Sequence, residues 1–408
     1  MNLLISNISS LLQIGEGDAP VRGAAMSVVH QISDAFLLIR DGKIHSFGSM
    51  NEIPRVDVPV IDAKGGIVLP GFVDCHTHLV FPESREREFV MKIHGASYSD
   101  IARAGGGILN SASALRKLSE DELFERSLTR LQEIIKKGTV AVEIKSGYGL
   151  DTESELKMLR VARKLGKVSG IPVHTTFLGA HAIPAGKNKR DYLDQVIREM
   201  IPAVASEGLA DFIDVFCENG FFDPEESIEV LMAGKKAGMT PRVHANQLGI
   251  SGGVQVAVET GSASADHLEY LGDEEISLLT SSQVMPVALP GAAFFLRMNY
   301  CPARRLIDAG LPVAVASDYN PGSSPSGNMM LMWSLSCIGM RMTPEEALHA
   351  LTINPACVLG IQKTHGSIAV GKVGSVIITK PVPSLAYLPY HYGMDAIQSV
   401  VVSGRVIN

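Results

Sequence analysis

A chain of 408 residues with 46% hydrophobic and 19% charged residues reads as globular and well packed, not disordered. It is too long for one ordinary core, so one large domain with a smaller companion is expected. The net charge of −7, with no basic run interleaved with aromatics, argues against a nucleic-acid partner.

The five cysteines, Cys75, Cys217, Cys301, Cys337 and Cys357, are scattered and form no C-x-x-C pair. A disulfide framework or thiolate zinc site is not expected, and a reducing cytoplasm fits best. The opening MNLLISNISSLLQIG lacks the basic start of a signal peptide. No apolar run reaches the roughly 18 residues of a membrane span. The nearest, 284–296, is broken by Pro286, Pro290 and Gly291.

In chain order, residues 36–48 predict a hairpin turning at Asp41-Gly42. A strand follows near 67–75, and the glycines of AGGGI (104–108) read as a loop on a long connection. Residues 120–138 have helical apolar spacing and end Lys-Lys-Gly, a C-terminal stop. Further strands are expected near 139–145, 171–178, 211–217, 240–244, 262–267, 284–289 and 312–317. Between them, 223–238 opens with Asp223 as N-cap and Pro224 at the first helical position. Residues 343–352 repeat that grammar with Thr343 and Pro344. Eight strand–helix alternations predict a (β/α)8 TIM-like barrel over 67–357, with a doubly wound open sheet as the main rival. The strand-rich ends, 1–66 and 358–408, are expected to pair into a small β-sandwich domain that the barrel interrupts.

GFVDCHTHLVF (71–81) is the strongest chemical signal. His76 and His78, two apart at the end of an apolar strand, project to one side and make half of a metal site. His244, His267 and Asp318 close the fifth, sixth and eighth strands. Each alone reads as a satisfied core or loop residue. Five metal-competent side chains, all ending barrel strands, point instead to a centre at the barrel mouth. Nitrogen and carboxylate ligands suit zinc or iron.

This pattern resembles the amidohydrolase superfamily of metal-dependent hydrolases. The motifs FPESREREF (81–89), GASYSDIARAGGGI (95–108), VEIKSGYGL (142–150), TFLGAHAIP (176–184), HANQL (244–248) and SDYNPGSSP (317–325) narrow the resemblance. It is closest to the branch that opens the ring of 4-imidazolone-5-propanoate with a metal-activated water, giving N-formimino-L-glutamate in histidine degradation. The resemblance runs over essentially the whole chain and implies one transition-metal ion, zinc or iron, held by His76, His78, His244 and Asp318. It implies that Arg85 binds the propionate, with Tyr148, His181 and Tyr98 adding hydrogen bonds. Asn320, Gly322 and Ser323 would line the side where the product rests. Asp318 would shuttle the proton, His267 would stabilise the oxyanion, and Gln247, one helical turn past His244, would face the ring. A homodimer is expected as a prior only.

The resemblance departs at one place. The family carries a carboxylate within the four residues starting at His244, whereas Asn246 and Gln247 are neutral here. Gln247 is therefore expected to bind the ring rather than move a proton. Lys145 could be carboxylated to bridge two metals, but on the second strand it reads as structural or supporting, and one metal per chain follows. Neither a dinucleotide fingerprint nor a G-x-S-x-G elbow is present. The competing readings are another cyclic-amide hydrolase or deaminase on the same barrel, and a catalytically dead barrel serving as a scaffold.

Overall fold

A computed structural model describes residues 1–15, 17–95 and 106–407. Two sheets organise them. The first is built from both ends of the chain: β1 (Leu3–Leu12), β2 (Gln31–Arg40), β3 (Lys43–Ser49), β4 (Val60–Asp62) and β5 (Ile67–Pro70). The second is a parallel barrel of eight staves: β6 (Phe72–Asp74), β7 (Thr139–Lys145), β8 (Val173–Ala180), β9 (Phe212–Cys217), the split β10 (Thr240–Pro241) and β11 (Val243–Ala245), β12 (Ser264–His267), β13 (Met285–Ala288) and β14 (Ala314–Val315). The chain then returns to the first sheet with β15 (Val376–Thr379), β16 (Ile397–Val402) and β17 (Arg405–Ile407). That sheet runs β17-β16-β15-β5-β1-β2-β3, with β4 on β1.

The hairpin between β2 and β3 turns at Asp41 and Gly42, both at positive φ (50° and 76°), as a two-residue primed turn requires. The strand expected over 67–75 is two strands in two sheets. Ile67–Pro70 pairs with β1 and β15, whereas Phe72–Asp74 pairs with β7. Gly71 makes the crossing possible, because a Cβ there would lie 2.3 Å from Val140 Cγ1.

The barrel closes at its mouth. Asp318 N donates to His76 O (3.0 Å) and His78 N donates to Tyr319 O (3.0 Å), joining the first stave to the last just beyond their strands. Outer helices start where the caps place them. Ser119, Asp223 and Thr343 each form a capping box, with Glu122, Glu226 and Glu346. The barrel floor is apolar, with Val73, Ala141, Val287, Ala314 and Ala316 fully buried. Higher up, charged residues face inward at Glu143, Lys145, Asp214, Arg242 and Asp266, all 0–1% exposed. No helix among the described residues is long and apolar enough to cross a membrane.

Candidate metal centre and substrate cavity

His76, His78, His244, His267 and Asp318 converge at the barrel mouth, each at most 3% exposed. Two groups of possible ligands share His76: His76 with His244 and His267, and His76 with His78 and Asp318. Within each group the ligand atoms lie within 4.8 Å of one another. Asp318 Oδ1 lies 3.5 Å from His78 Nε2 and 3.6 Å from His76 Nε2. Its other oxygen, Oδ2, accepts from Ser323 Oγ at 3.3 Å. The loop that carries Asp318 is folded on Asn320, whose Oδ1 accepts from the backbone of Gly322 and Ser323 and whose Nδ2 donates to Asp318 O.

The strand ends carry strained backbone. Asn246, His267 and Asp318 adopt positive φ of 56°, 85° and 52°. For a residue as bulky as histidine such a conformation costs on the order of 1–3 kcal/mol and persists only where its surroundings over-determine it. At His267 and Asp318 it turns the side chain off the stave into the mouth.

The histidines fit a cation. His76 Nδ1 is 2.6 Å from Asp266 Oδ2; since a carboxylate accepts, Nδ1 carries the proton and the Nε2 lone pair is free. His244 Nδ1 lies 2.9 Å from Asp214 Oδ2. His76 Nε2 and His244 Nε2 are buried with no hydrogen-bond partner among the described residues. Leaving a buried polar atom unpaired costs roughly 1–3 kcal/mol, a cost that a bound cation removes. Burial and neighbouring positive charge also hold the His76 and His78 rings well below the ordinary imidazole pKa, and burial takes His244 down to about 4, so all three are neutral, as ligands must be. His267 goes the other way. Burial lowers its pKa, but Glu269, 3.3 Å from Nδ1, together with Asp318 and Asp266, raises it above the ordinary imidazole value. A ring held toward imidazolium is a good hydrogen-bond donor. Burial pushes the Asp318 carboxyl up to about 6, against the pull of His267.

Beside this centre lies a cavity of about 400 Å³, lined among others by Arg85, Tyr148, His181, Gln247, Asn320, Gly322 and Ser323. His76 sits behind its wall. Arg85 Nε and Nη2 both donate to Ser111 Oγ, and its guanidinium lies 5.6 Å from the centre of the Tyr148 ring. Tyr148 is carried by a loop tied to buried Glu155, which accepts from Gly147 N, Gly149 N and Leu150 N. His181 Nδ1 donates to Gly147 O (3.0 Å), and burial takes its pKa down to about 4, so a neutral ring keeps Nε2 as an acceptor. Gly147 has φ 106°, and a Cβ there would meet His181 Nδ1 at 2.9 Å.

Gln247 reaches the cavity by a different route from the one expected. No helix follows His244. The left-handed Asn246 turns the chain, its Nδ2 donating to Tyr270 O, and the next helix begins only at Gly253. Tyr98 lies outside the described residues, as do Ala104 and Gly105 of the glycine-rich loop.

Several lining residues escape sequence reading. Lys92 and Glu88 share α1 (Glu86–Ile93) with the cavity wall, and Lys92 Nζ donates to Gly322 O (3.1 Å). Lys92 stands two helical turns beyond Arg85, a spacing that places both on one face and could have flagged it. Asp214 and Asp266, which orient His244 and His76, were visible only as charges inside otherwise apolar strands.

The Amidohydrolase family matches residues 67–407. The chain is 50% identical to the imidazolonepropionase of Christiangramia forsetii and 48% identical to that of Flavobacterium johnsoniae, in each case over 100% of both chains. Among solved structures, 5-methylcytosine deaminase from Klebsiella pneumoniae superposes with a TM-score of 0.75 at 17% identity, over 100% of this chain and 98% of that one. At that identity the likeness speaks for the fold alone.

Proposed function

The chain belongs to the amidohydrolase family, and from that premise we propose that it works as an imidazolonepropionase, opening the ring C–N bond of 4-imidazolone-5-propanoate with water to give N-formimino-L-glutamate. One observation carries the reading: a histidine–aspartate centre and the guanidinium of Arg85 face the same cavity. A substrate made of a small cyclic amide and a carboxylate tail needs both.

His76, His78, His244 and Asp318 would hold the metal, zinc or iron, one per chain. Bound there, the ion supplies Lewis acidity that lowers the pKa of a water to about 7. Asp214 and Asp266 orient His244 and His76 toward that point from the far side of each ring.

Arg85 binds the propionate, its guanidinium suited to a carboxylate and fixed in place by Ser111. Lys92 adds a second positive charge to the same wall. Tyr148 and His181 contribute a hydroxyl and an imidazole acceptor to the ring, and Gln247 pairs with the ring amide through its neutral side chain. Asn320, Gly322 and Ser323 form the wall against which the product's glutamate portion rests.

In the chemical step Asp318 takes the proton of the attacking water and returns it to the departing ring nitrogen. Its two oxygens divide the work: Oδ1 faces the histidines, while Oδ2 is steadied by Ser323. His267, paired with Glu269, donates to the oxyanion that forms as the ring carbonyl is attacked. Loss of the imidazolone's ultraviolet absorbance, followed with metal content measured on the same sample, tests the reading. Folded, metal-loaded protein that leaves the imidazolone unchanged would refute it.

A further inference from the structure

Beneath the histidines lies a fully buried cluster of three carboxylates and two cations: Glu143, Asp214 and Asp266 with Lys145 and Arg242. Two of the carboxylates have a ligand histidine on their other side. Asp214 Oδ2 is 2.9 Å from His244 Nδ1, and Asp266 Oδ2 is 2.6 Å from His76 Nδ1. Lys145 Nζ stands among all three, 2.9 Å from Asp214 Oδ2, 3.1 Å from Glu143 Oε1 and 3.9 Å from Asp266 Oδ2. Arg242 pairs with Asp266 (2.7 Å) and lies 3.7 Å from Glu143, and no pairing of it with Asp214 is found among the described residues. Among the described residues Lys145 is thus the cation paired with Asp214, as Arg242 is with Asp266. Its backbone is engaged as well: Lys145 N donates to Thr77 O (2.9 Å), the residue between His76 and His78.

We propose that Lys145 is a positioning residue for the metal-binding histidine His244, its ammonium fixing Asp214 against that ring, while Arg242 holds Asp266 against His76. The inference rests on the reading that those histidines hold the ion. An ammonium offers three N–H donors from one centre, which suits three carboxylates arranged around it. Without it, three buried carboxylates face one another with only Arg242 between them. Asp214, which Arg242 does not reach among the described residues, then turns away from repulsion, and the His244 ring loses the partner that sets its tautomer and direction. The same surroundings exclude a carboxylated lysine, since a carbamate would add a fourth anion at the centre of the three.

The test is zinc binding to chelator-stripped protein, measured by competition with a chromophoric chelator. The visible spectrum of the cobalt-loaded form is recorded alongside, and folding is checked by circular dichroism. Lys145→Met is expected to weaken zinc about ten- to hundredfold and to shift the cobalt bands. Glu143→Gln, equally buried and 3.1 Å from the lysine, touches no histidine side chain and keeps an amide oxygen to accept from Thr77 N, so it is expected to stay within about threefold of the parent. Lys145→Met with parent affinity and spectrum, or Glu143→Gln with the same loss, overturns the proposal. If Lys145→Met does not fold, Lys145→Met/Glu143→Gln removes one charge of each sign, leaves both histidine-orienting carboxylates in place and stands in for it. Parent affinity in that variant, or its failure to fold, also overturns the proposal and leaves the lysine a role in the fold alone. His244→Ala separates the two readings. If it binds zinc like the parent, the metal site is misassigned; if it loses zinc and Lys145→Met does not, only the present inference falls.

Discussion

The guanidinium of Arg85 straddles the hydroxyl of Ser111, donating to it from Nε at 3.0 Å and from Nη2 at 2.8 Å. Two donors are spent on holding the side chain, and Nη1 is pressed toward Gly322, where an added Cβ would lie 2.5 Å away. Arg85 is therefore clamped between a hydroxyl and a bare backbone, an order that under the proposed function spares the substrate carboxylate the cost of fixing it.

Arg85→Met should raise KM by about two orders of magnitude, the loss of two charge-assisted hydrogen bonds, with a smaller fall in kcat. Ser111→Ala should raise KM about five- to tenfold by freeing the guanidinium. Gly322→Ala should do likewise, because a Cβ there would lie 2.5 Å from Nη1 and push the guanidinium off its seat. Steady-state kinetics with 4-imidazolone-5-propanoate reads all three. A parent-like KM in Arg85→Met would remove the propionate from this end of the cavity.

Gln247 lines the cavity with a side chain that neither gives up nor takes a full proton at neutral pH. Gln247→Ala is expected to raise KM about tenfold, the worth of one hydrogen bond, with kcat nearly unchanged. The opposite split, lower kcat at constant KM, would assign Gln247 to the transition state instead.

Asp318 is asked to do two things, and a substitution can separate them. Asp318→Asn keeps an oxygen that can face His76 and His78 but cannot accept the water's proton. Turnover should fall by about two to four orders of magnitude, the usual worth of a general base. Metal content by atomic absorption should be about one ion per chain in the parent and reduced in the variant. Near-normal turnover in a metal-retaining Asp318→Asn would end the proton-shuttle role, and about two ions per parent chain would end the single-ion reading.

How far these residues were legible in advance follows from the range of the forces that place them. His76, His78, His244 and Asp318 could be read because the barrel puts every strand end at one mouth, so a local pattern carried a global position. Helix starts at Asp223 and Thr343 were equally local, since capping acts within one turn. Gln247 lines the cavity, but no helical turn brings it there, because the left-handed Asn246 that turns the chain has no periodic signature. Ser111 and Lys92 meet Arg85 and Gly322 only through tertiary packing. The break at Gly71 was hidden in an apolar run whose halves differ only in which sheet they join.

His365 offers a test of the terminal region apart from the metal centre. It is 8% exposed, with Nδ1 2.9 Å from Thr364 Oγ1. Burial, with smaller contributions from His174 and Lys372, takes its pKa down to about 4, whereas in the unfolded chain it titrates near 6.5. The folded form therefore keeps the ring neutral while the unfolded form gains a proton as the pH drops below 6.5. The sign follows: stability is full above pH 6.5 and is lost as the pH falls from there toward 4. The largest loss is about 3 kcal/mol, since each tenfold difference in proton affinity between the two forms is worth about 1.4 kcal/mol. His365→Leu removes the titrating ring, so the stability gap between the parent and this variant, measured by urea melts from pH 7.5 to 4.5, should move in the variant's favour as the pH falls. A gap that stays constant over that range would show that the ring protonates in the folded chain as readily as in the unfolded one.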